Sequence, residues 1–395
     1  MIVEPKIRGF ICTTAHPEGC RENVKNQIEY VKAKGAISGG KKVLVIGAST
    51  GYGLASRITA AFSGGAATIG VMFEKPSNGK KTASAGWYNT AAFEEFAAKE
   101  GLYAKSVNGD AFSKDIKEQV INLIKEDLGK IDLIVYSLAA PRRTMPDGET
   151  VSSVLKTTGE AYTNKTVDVA NRTVMPVTIE PATDREIEDT VKVMGGEDWK
   201  DWISAMKAAD VLADNAVTMA YSYIGPELTH PMYYNGSIGA AKAHLYNTAK
   251  ELTKEFAETG LSAYVSVNKA LVTQASSAIP VVPLYTAILY KVMKPLGLHE
   301  GCIEQIHRLF KDKLYAEPKV LADDCLLRVD DWELKEEVQQ KVSEAWEKIT
   351  TENIDELADV DGYWDEFYNM FGFGCENVDY DKDIEIDVKI PSIEE

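Results

Sequence analysis

The chain is short of positive charge, with 43 Lys and Arg against 60 Asp and Glu and a formal net charge of −17 over 395 residues. Such a surface repels phosphate backbones and anionic lipid, so neither a nucleic-acid partner nor a membrane partner is expected. A local patch for an anionic cofactor stays compatible with it. Cysteine is scarce as well. Cys12, Cys20, Cys302, Cys325 and Cys375 are odd in number and scattered, which excludes a disulfide framework and fits a reducing cytoplasm. Long apolar runs are nearly absent. Ala270–Tyr290 is uncharged, but Pro280 and Pro283 interrupt it and Gln274, Ser276 and Ser277 dilute it. Lipid cannot satisfy the backbone groups that such breaks free, so no membrane span is expected. Near the N-terminus Glu4, Lys6 and Arg8 have no apolar stretch behind them, and no signal peptide is expected. Cys12, His16 and Cys20 have spacings a metal uses, but a structural zinc takes four ligands and no fourth is near, so no metal is expected.

What is present reads as an ordinary globular chain, 45% apolar and 26% charged. Val43–Ile46 is a continuous apolar run, the mark of a strand buried on both faces. Leu54–Phe62 reads as helix, Ala67–Phe73 as strand, Thr90–Glu100 as helix, Val107 as part of a strand, Ile116–Glu126 as helix and Ile131–Tyr136 as strand. This alternation predicts an α/β fold, a Rossmann-type doubly wound parallel sheet. Between 142 and 180 Thr, Asp, Asn and Gly crowd in, and Lys165–Val169 and Thr173–Ile179 partly alternate, which predicts an inserted β-ribbon cap. Helix follows over 184–212, a short strand over Val217–Ala220, helix over Ala240–Thr259 and strand over Ser262–Val267. The part from 284 to about 370 is helical and charged, and Asp383–Ile390 alternates like an edge strand or a frayed tail. One large domain over 1–395 is expected. Its nucleotide-binding core spans about 41–141 and 213–275, its substrate-side insertion about 142–212 and its helical extension about 276–395.

The first strand runs into Gly47-Ala48-Ser49-Thr50-Gly51-Tyr52-Gly53, with helix directly after. A pyrophosphate at a helix N-terminus needs exposed backbone N–H groups and no Cβ in the way. Gly47 lets the strand turn, Gly51 permits close approach and Gly53 lets helix meet strand. The spacing G-x-x-x-G-x-G resembles that of short-chain dehydrogenases and their relatives. Glu74 ends the second strand, 21 residues beyond Gly53, where a carboxylate accepts hydrogen bonds from the adenosine ribose and repels a 2′-phosphate. NADH is therefore expected over NADPH, with Lys75 softening the preference. Asp110-Ala111 after the third strand and Ser137-Leu138-Ala139-Ala140 after the fourth are expected at the same crevice, on adenine and ribose.

Hydride transfer from a nicotinamide leaves charge on an oxygen, and that oxygen needs a donor, commonly Tyr with a nearby Lys. Two pairs compete. Tyr246 and Lys250 are one helical turn apart. Tyr233 and Lys242 would lie on opposite faces of one helix, so they converge only if Tyr233 precedes the helix, as the turn and cap residues Asn235-Gly236-Ser237 suggest. Physical grounds leave the pairs even. They also leave three functions open: a carbonyl reductase using Tyr246 and Lys250, a non-catalytic NAD sensor, and a methyltransferase binding S-adenosylmethionine.

Longer stretches distinguish them. Gly47–Arg57, Val193-Met-Gly-Gly-Glu-Asp-Trp199, Tyr221-Ser-Tyr-Ile-Gly225 and Ser266-Val-Asn-Lys-Ala-Leu-Val-Thr273 resemble the trans-2-enoyl-CoA reductases and the FabV-type enoyl-ACP reductases. The likeness runs from His16-Pro17 to the C-terminal helices. It implies NADH-dependent reduction of the 2,3-trans double bond of an enoyl thioester, enoyl-CoA or enoyl-acyl carrier protein. It implies Tyr233 as proton donor, Lys242 on the cofactor ribose and Tyr223 on the substrate. By the same resemblance Gly47 to Tyr52, Phe73, Glu74, Asp110, Ala111, Leu138, Ala139, Leu271, Val272 and Thr273 contact NAD. Tyr246 and Lys250 then fall to the helix surface. Lys242 is expected to lower the pKa of Tyr233, Tyr223 to help hold the enolate oxygen, and 270–290 to wall an acyl pocket. The charge balance favours CoA over an acidic carrier protein, and a monomer is expected, with a homodimer as the alternative.

Overall fold

The computed structural model describes residues 1–9 and 11–393. Seven strands form one parallel sheet: β1 Lys42–Ile46, β2 Ala67–Met72, β3 Ala104–Asn108, β4 Ile131–Tyr136, β5 Leu212–Ser222, β6 Ser262–Val267 and β7 Leu326–Arg328. Their order is β3-β2-β1-β4-β5-β6-β7. The order reverses between β1 and β4, and an open α/β sheet binds ligands at the carboxyl ends of the strands beside such a point. The continuous apolar runs are explained by cover on both faces. Val43 through Ile46 are fully buried. Leu44 and Ile46 face a core that holds Trp199 and Trp202, whereas Val43 and Val45 face one that holds Phe93 and Phe310.

The helices up to residue 255 are α1 Pro17–Ala33, α2 Gly51–Ile58, α3 Ala85–Lys99, α4 Lys114–Leu123, α5 Asp184–Met194, α6 Glu197–Ala208 and α7 Ser237–Glu255, and all of them but α5, which packs on α7, give this cover. His16 caps α1, its Nδ1 accepting from the Gly19 N–H at 3.1 Å. No group of three or more His, Cys, Asp or Glu side chains among the described residues is placed to hold a metal.

The expected cap is two antiparallel ribbons, Arg142–Thr144 with Thr150–Ser152 and Tyr162–Asp168 with Thr173–Ile179. The second ribbon and the helix Val282–Met293 share an apolar core with Tyr233. That helix holds the last part of the uncharged run, and Leu284, Tyr285, Ile288, Leu289 and Tyr290 in it are fully buried. At about 1.5–3 kcal/mol for each large apolar side chain, its composition is explained by core packing. No helix among the described residues is long and apolar enough to cross a membrane.

Three expectations need correction. β5 is eleven residues long rather than four, because a register shift between Leu212 and Val217 lets its polar start continue beside β4. β7 lies inside the part read as helical. Residues 383–390 are neither strand nor frayed. Ile384, Ile386 and Ile390 are buried, and backbone carbonyls accept from α3 side chains, Ile386 from Tyr88 Oη and Val388 from Trp87 Nε1, both at 2.7 Å. The alternation there serves packing on a helix.

Candidate active site

The carboxyl ends of the strands open into a cavity of about 760 Å³. Its floor is the glycine turn. Gly47 has φ +83° and a Cβ there would lie 2.2 Å from the Ser137 carbonyl oxygen; one on Gly53 would lie 1.8 Å from that of Gly47. Strand and helix therefore meet backbone to backbone. Gly51 has φ +54° and open space above it. Thr50 stands at the N-cap of α2 with no side-chain capping bond, so the first-turn N–H groups are left for a ligand. Ser49 Oγ donates instead to Glu74 Oε1 at 2.6 Å. Phe73 beside it is 76% exposed, a large apolar face at the rim of the cavity.

Every site residue expected from the sequence lines this cavity except Ala48, which is buried and whose N–H donates to the Val71 carbonyl at 2.9 Å. Tyr233 sits in the turn before α7, its N–H bonded to the Thr229 carbonyl at 3.1 Å. Helix α7 begins at Ser237, and Lys242 is in its second turn. The bend brings both onto one cavity wall. Tyr246 and Lys250 do not line it. Tyr246 is half-buried rather than on the surface, with its hydroxyl 2.7 Å from Ser222 Oγ, whereas Lys250 is exposed.

The electrostatics differ from expectation at two points. Lys242 does not lower the pKa of Tyr233. Burial raises it, and Lys242 Nζ donates to the Tyr221 carbonyl at 3.1 Å. Desolvation instead lowers the ammonium of Lys242 to about 8. Tyr233 Oη makes no hydrogen bond to any described residue. Tyr223 packs edge-on against Tyr233, ring centroids 5.1 Å apart, and its hydroxyl donates to Glu333 Oε1 at 3.1 Å.

Two residues here escaped sequence reading. Asn268 is 2% exposed, lines the cavity and has no partner for Nδ2 among the described residues. Its signal was present, since it lies within the Ser266–Thr273 stretch. Glu333 is fully buried and comes from a charged segment with no local mark. The uncapped helix start, the open space over Gly51, the orphaned Asn268 amide and the carboxylate of Glu74 together fit a dinucleotide such as NADH.

Three family models match the chain: the NAD(P)H binding domain of trans-2-enoyl-CoA reductase over residues 2–79, the trans-2-enoyl-CoA reductase catalytic region over 81–315, and an enoyl reductase FAD binding domain over 322–384. Among curated relatives, an NADH enoyl-[acyl-carrier-protein] reductase of Flavobacterium johnsoniae is 60% identical over 100% of both chains. An NADH trans-2-enoyl-CoA reductase of Ruminiclostridium cellulolyticum is 57% identical, also over 100% of both. Two solved structures superpose closely. The Clostridium acetobutulicum trans-2-enoyl-CoA reductase in complex with NADH has a TM-score of 0.96 at 47% identity, covering 99% of this chain and 100% of its own. The Treponema denticola enzyme in complex with NAD has 0.95 at 50% identity, with the same coverage.

The third model finds no support in the residues. The connection from β7 to the helix Glu336–Lys348 carries Asp330, Asp331 and Glu333 and no glycine. Asp330 pairs with Arg328, Asp331 with Arg308 and Lys313, and a flavin pyrophosphate would meet carboxylates where it needs free N–H groups. Neither domain model over 2–79 and 81–315 meets such a conflict, and with full-length relatives at this identity the conclusion is plain: the chain belongs to the trans-2-enoyl-CoA reductase family.

Proposed function

We propose that this protein reduces the 2,3-trans double bond of enoyl thioesters with NADH, acting as a single Rossmann-type domain in the cytoplasm. The observation that carries the reading is the convergence of Tyr233 and Lys242 on a cavity floored by an uncapped helix start. Bound NADH supplies a hydride to the β-carbon of the substrate. The chain's own residues do the rest. The α2 N–H groups and Asn268 hold phosphate and ribose oxygens, and Glu74 accepts from the adenosine ribose and repels a 2′-phosphate. Phe73 offers its exposed face to the adenine. Lys242 donates to the nicotinamide ribose. Tyr233, with no competing partner, donates to the thioester oxygen as charge develops there and relays the proton that ends on the α-carbon. Ile279 and Val282 wall the acyl side and keep it dry.

CoA is the carrier we favour, because the net charge of −17 opposes an acidic carrier protein. The test is loss of nicotinamide absorbance with crotonyl-CoA, run with NADH and NADPH in parallel and repeated with a crotonyl-carrier protein. Oxidation of NADH well ahead of NADPH is expected. Tight NADH binding without oxidation by either thioester would overturn the reading in favour of a sensor.

A further inference from the structure

We infer that Glu333 is a positioning residue that assigns different roles to the two cavity tyrosines, holding the proton of Tyr223 away from the substrate so that Tyr233 alone donates. The inference rests on the reading of the site given above.

Glu333 is fully buried and its carboxylate accepts three hydrogen bonds. Oε1 accepts from Tyr285 Oη at 2.6 Å and from Tyr223 Oη at 3.1 Å. Oε2 accepts from the Ala270 N–H at 2.8 Å. Gln339 Nε2 fixes the backbone from below, donating to the Glu333 carbonyl at 2.7 Å. A phenol has one hydrogen. With that of Tyr223 directed at Glu333, only its lone pairs face the cavity, and a thioester or enolate oxygen, itself an acceptor, gains nothing from them. Tyr233 Oη has no such engagement. The arrangement therefore sorts two adjacent phenols into one donor and one wall.

The same carboxylate ties this choice to the cofactor side. Ala270 immediately precedes Leu271, Val272 and Thr273. The Val272 N–H is held in turn by Tyr290 Oη at 3.0 Å, and Tyr290 donates to Glu366. Two carboxylates of the C-terminal segment thus brace the loop, Glu333 directly and Glu366 through a phenol. This gives the segment matched by the flavin-domain model a use that involves no flavin.

The experiment is a double-mutant cycle on crotonyl-CoA reduction, with NADH affinity read separately by fluorescence. In Glu333→Gln the amide N–H groups donate to the two phenols and turn the Tyr223 proton toward the cavity. The freed Tyr223 proton then competes with that of Tyr233 for the thioester oxygen and draws it off the relay to the α-carbon, so we expect kcat to fall about tenfold, the low end for one hydrogen bond to a charged group, with NADH affinity within about twofold of wild type. Adding Glu333→Gln to Tyr223→Phe should then cost nothing further, since the proton it releases is gone. A cycle in which the two losses multiply, or a Glu333→Gln enzyme as fast as wild type, overturns the role. Tyr223→Phe in the wild-type background tests it without relying on the folding of Glu333→Gln. It should retain at least about tenfold more kcat than Tyr233→Phe, and equal losses would overturn the assignment. A wild-type chain that leaves crotonyl-CoA unreduced overturns the reading of the site itself; an active wild type with a multiplying cycle overturns only the part given to Glu333.

Discussion

The two walls of the cavity are built by opposite means. The cofactor floor is one contiguous heptapeptide, Gly47–Gly53, and its shape comes from missing side chains: backbone meets backbone where a Cβ would fall within about 2 Å of a carbonyl oxygen. The facing wall gathers Tyr223 from just beyond β5, Tyr233 from a turn, Lys242 from α7 and the loop 270–273. It is held by Glu333 and Glu366, from far along the chain. The first wall is specified by neighbours in sequence. The second exists only once distant hydrogen bonds have formed. A floor of this kind fails by steric overlap, and a braced wall fails by losing a partner.

The largest effect expected concerns chemistry alone. Tyr233→Phe should lower kcat for crotonyl-CoA by about 10²–10⁴, the range for a positioned acid, while NADH fluorescence titration stays at wild-type affinity. Equal loss in both would dissolve the distinction between the walls. Next comes the floor. Gly53→Ala places a methyl 1.8 Å from the Gly47 oxygen, and overpacking of this sort costs about 1–3 kcal/mol. Urea unfolding should register that loss together with weaker NADH binding, and a variant of full stability would show that the floor yields.

Lys242 stands on the facing wall but is proposed to serve the cofactor, and its pH dependence sharpens the contrast. Desolvation brings its pKa to about 8. The ammonium proposed to donate to the ribose is lost above that value, so kcat/KM for NADH should fall about tenfold per pH unit on the alkaline side. Folding takes the opposite sign. The folded pKa lies below the unfolded one, so between about 8 and the ordinary value of 10.5 the unfolded chain binds more protons and the apoprotein gains stability as pH rises. Lys242→Met should remove both inflections. The smallest effect is expected at the brace. Tyr290→Phe takes the acceptor from the Val272 N–H, worth about 1 kcal/mol, and should raise KM for NADH a few-fold with kcat less affected. An unchanged KM would mean that the loop holds its shape unaided.

What was legible follows the same division. The strands 43–46, 67–72 and 131–136 carry their own signal in unbroken apolar runs, and the turn before α7 was marked by Asn235 and Gly236. The Tyr246–Lys250 pair had the better helical spacing, yet Tyr246 is spent on Ser222. The Asp383–Ile390 stretch alternates as a strand would, but the partner that uses its alternation is α3. The effect of Lys242 on Tyr233 was misjudged for a related reason. Proximity along a turn and a helix does not say whether desolvation or a neighbouring charge dominates, and here burial does.

From the order of residues alone came the doubly wound sheet, the glycine turn at its switch point and the acidic residue beyond β2, because periodicity, glycine placement and capping act over a few residues; the choice of Tyr233 and Lys242 came from the family resemblance. Only the folded chain decided which phenol keeps its proton free, what braces residues 270–272, and that Glu333 belongs to the site. Those outcomes depend on burial and on partners 18 to 110 positions apart, and a buried carboxylate looks like any surface glutamate until the chain has closed over it.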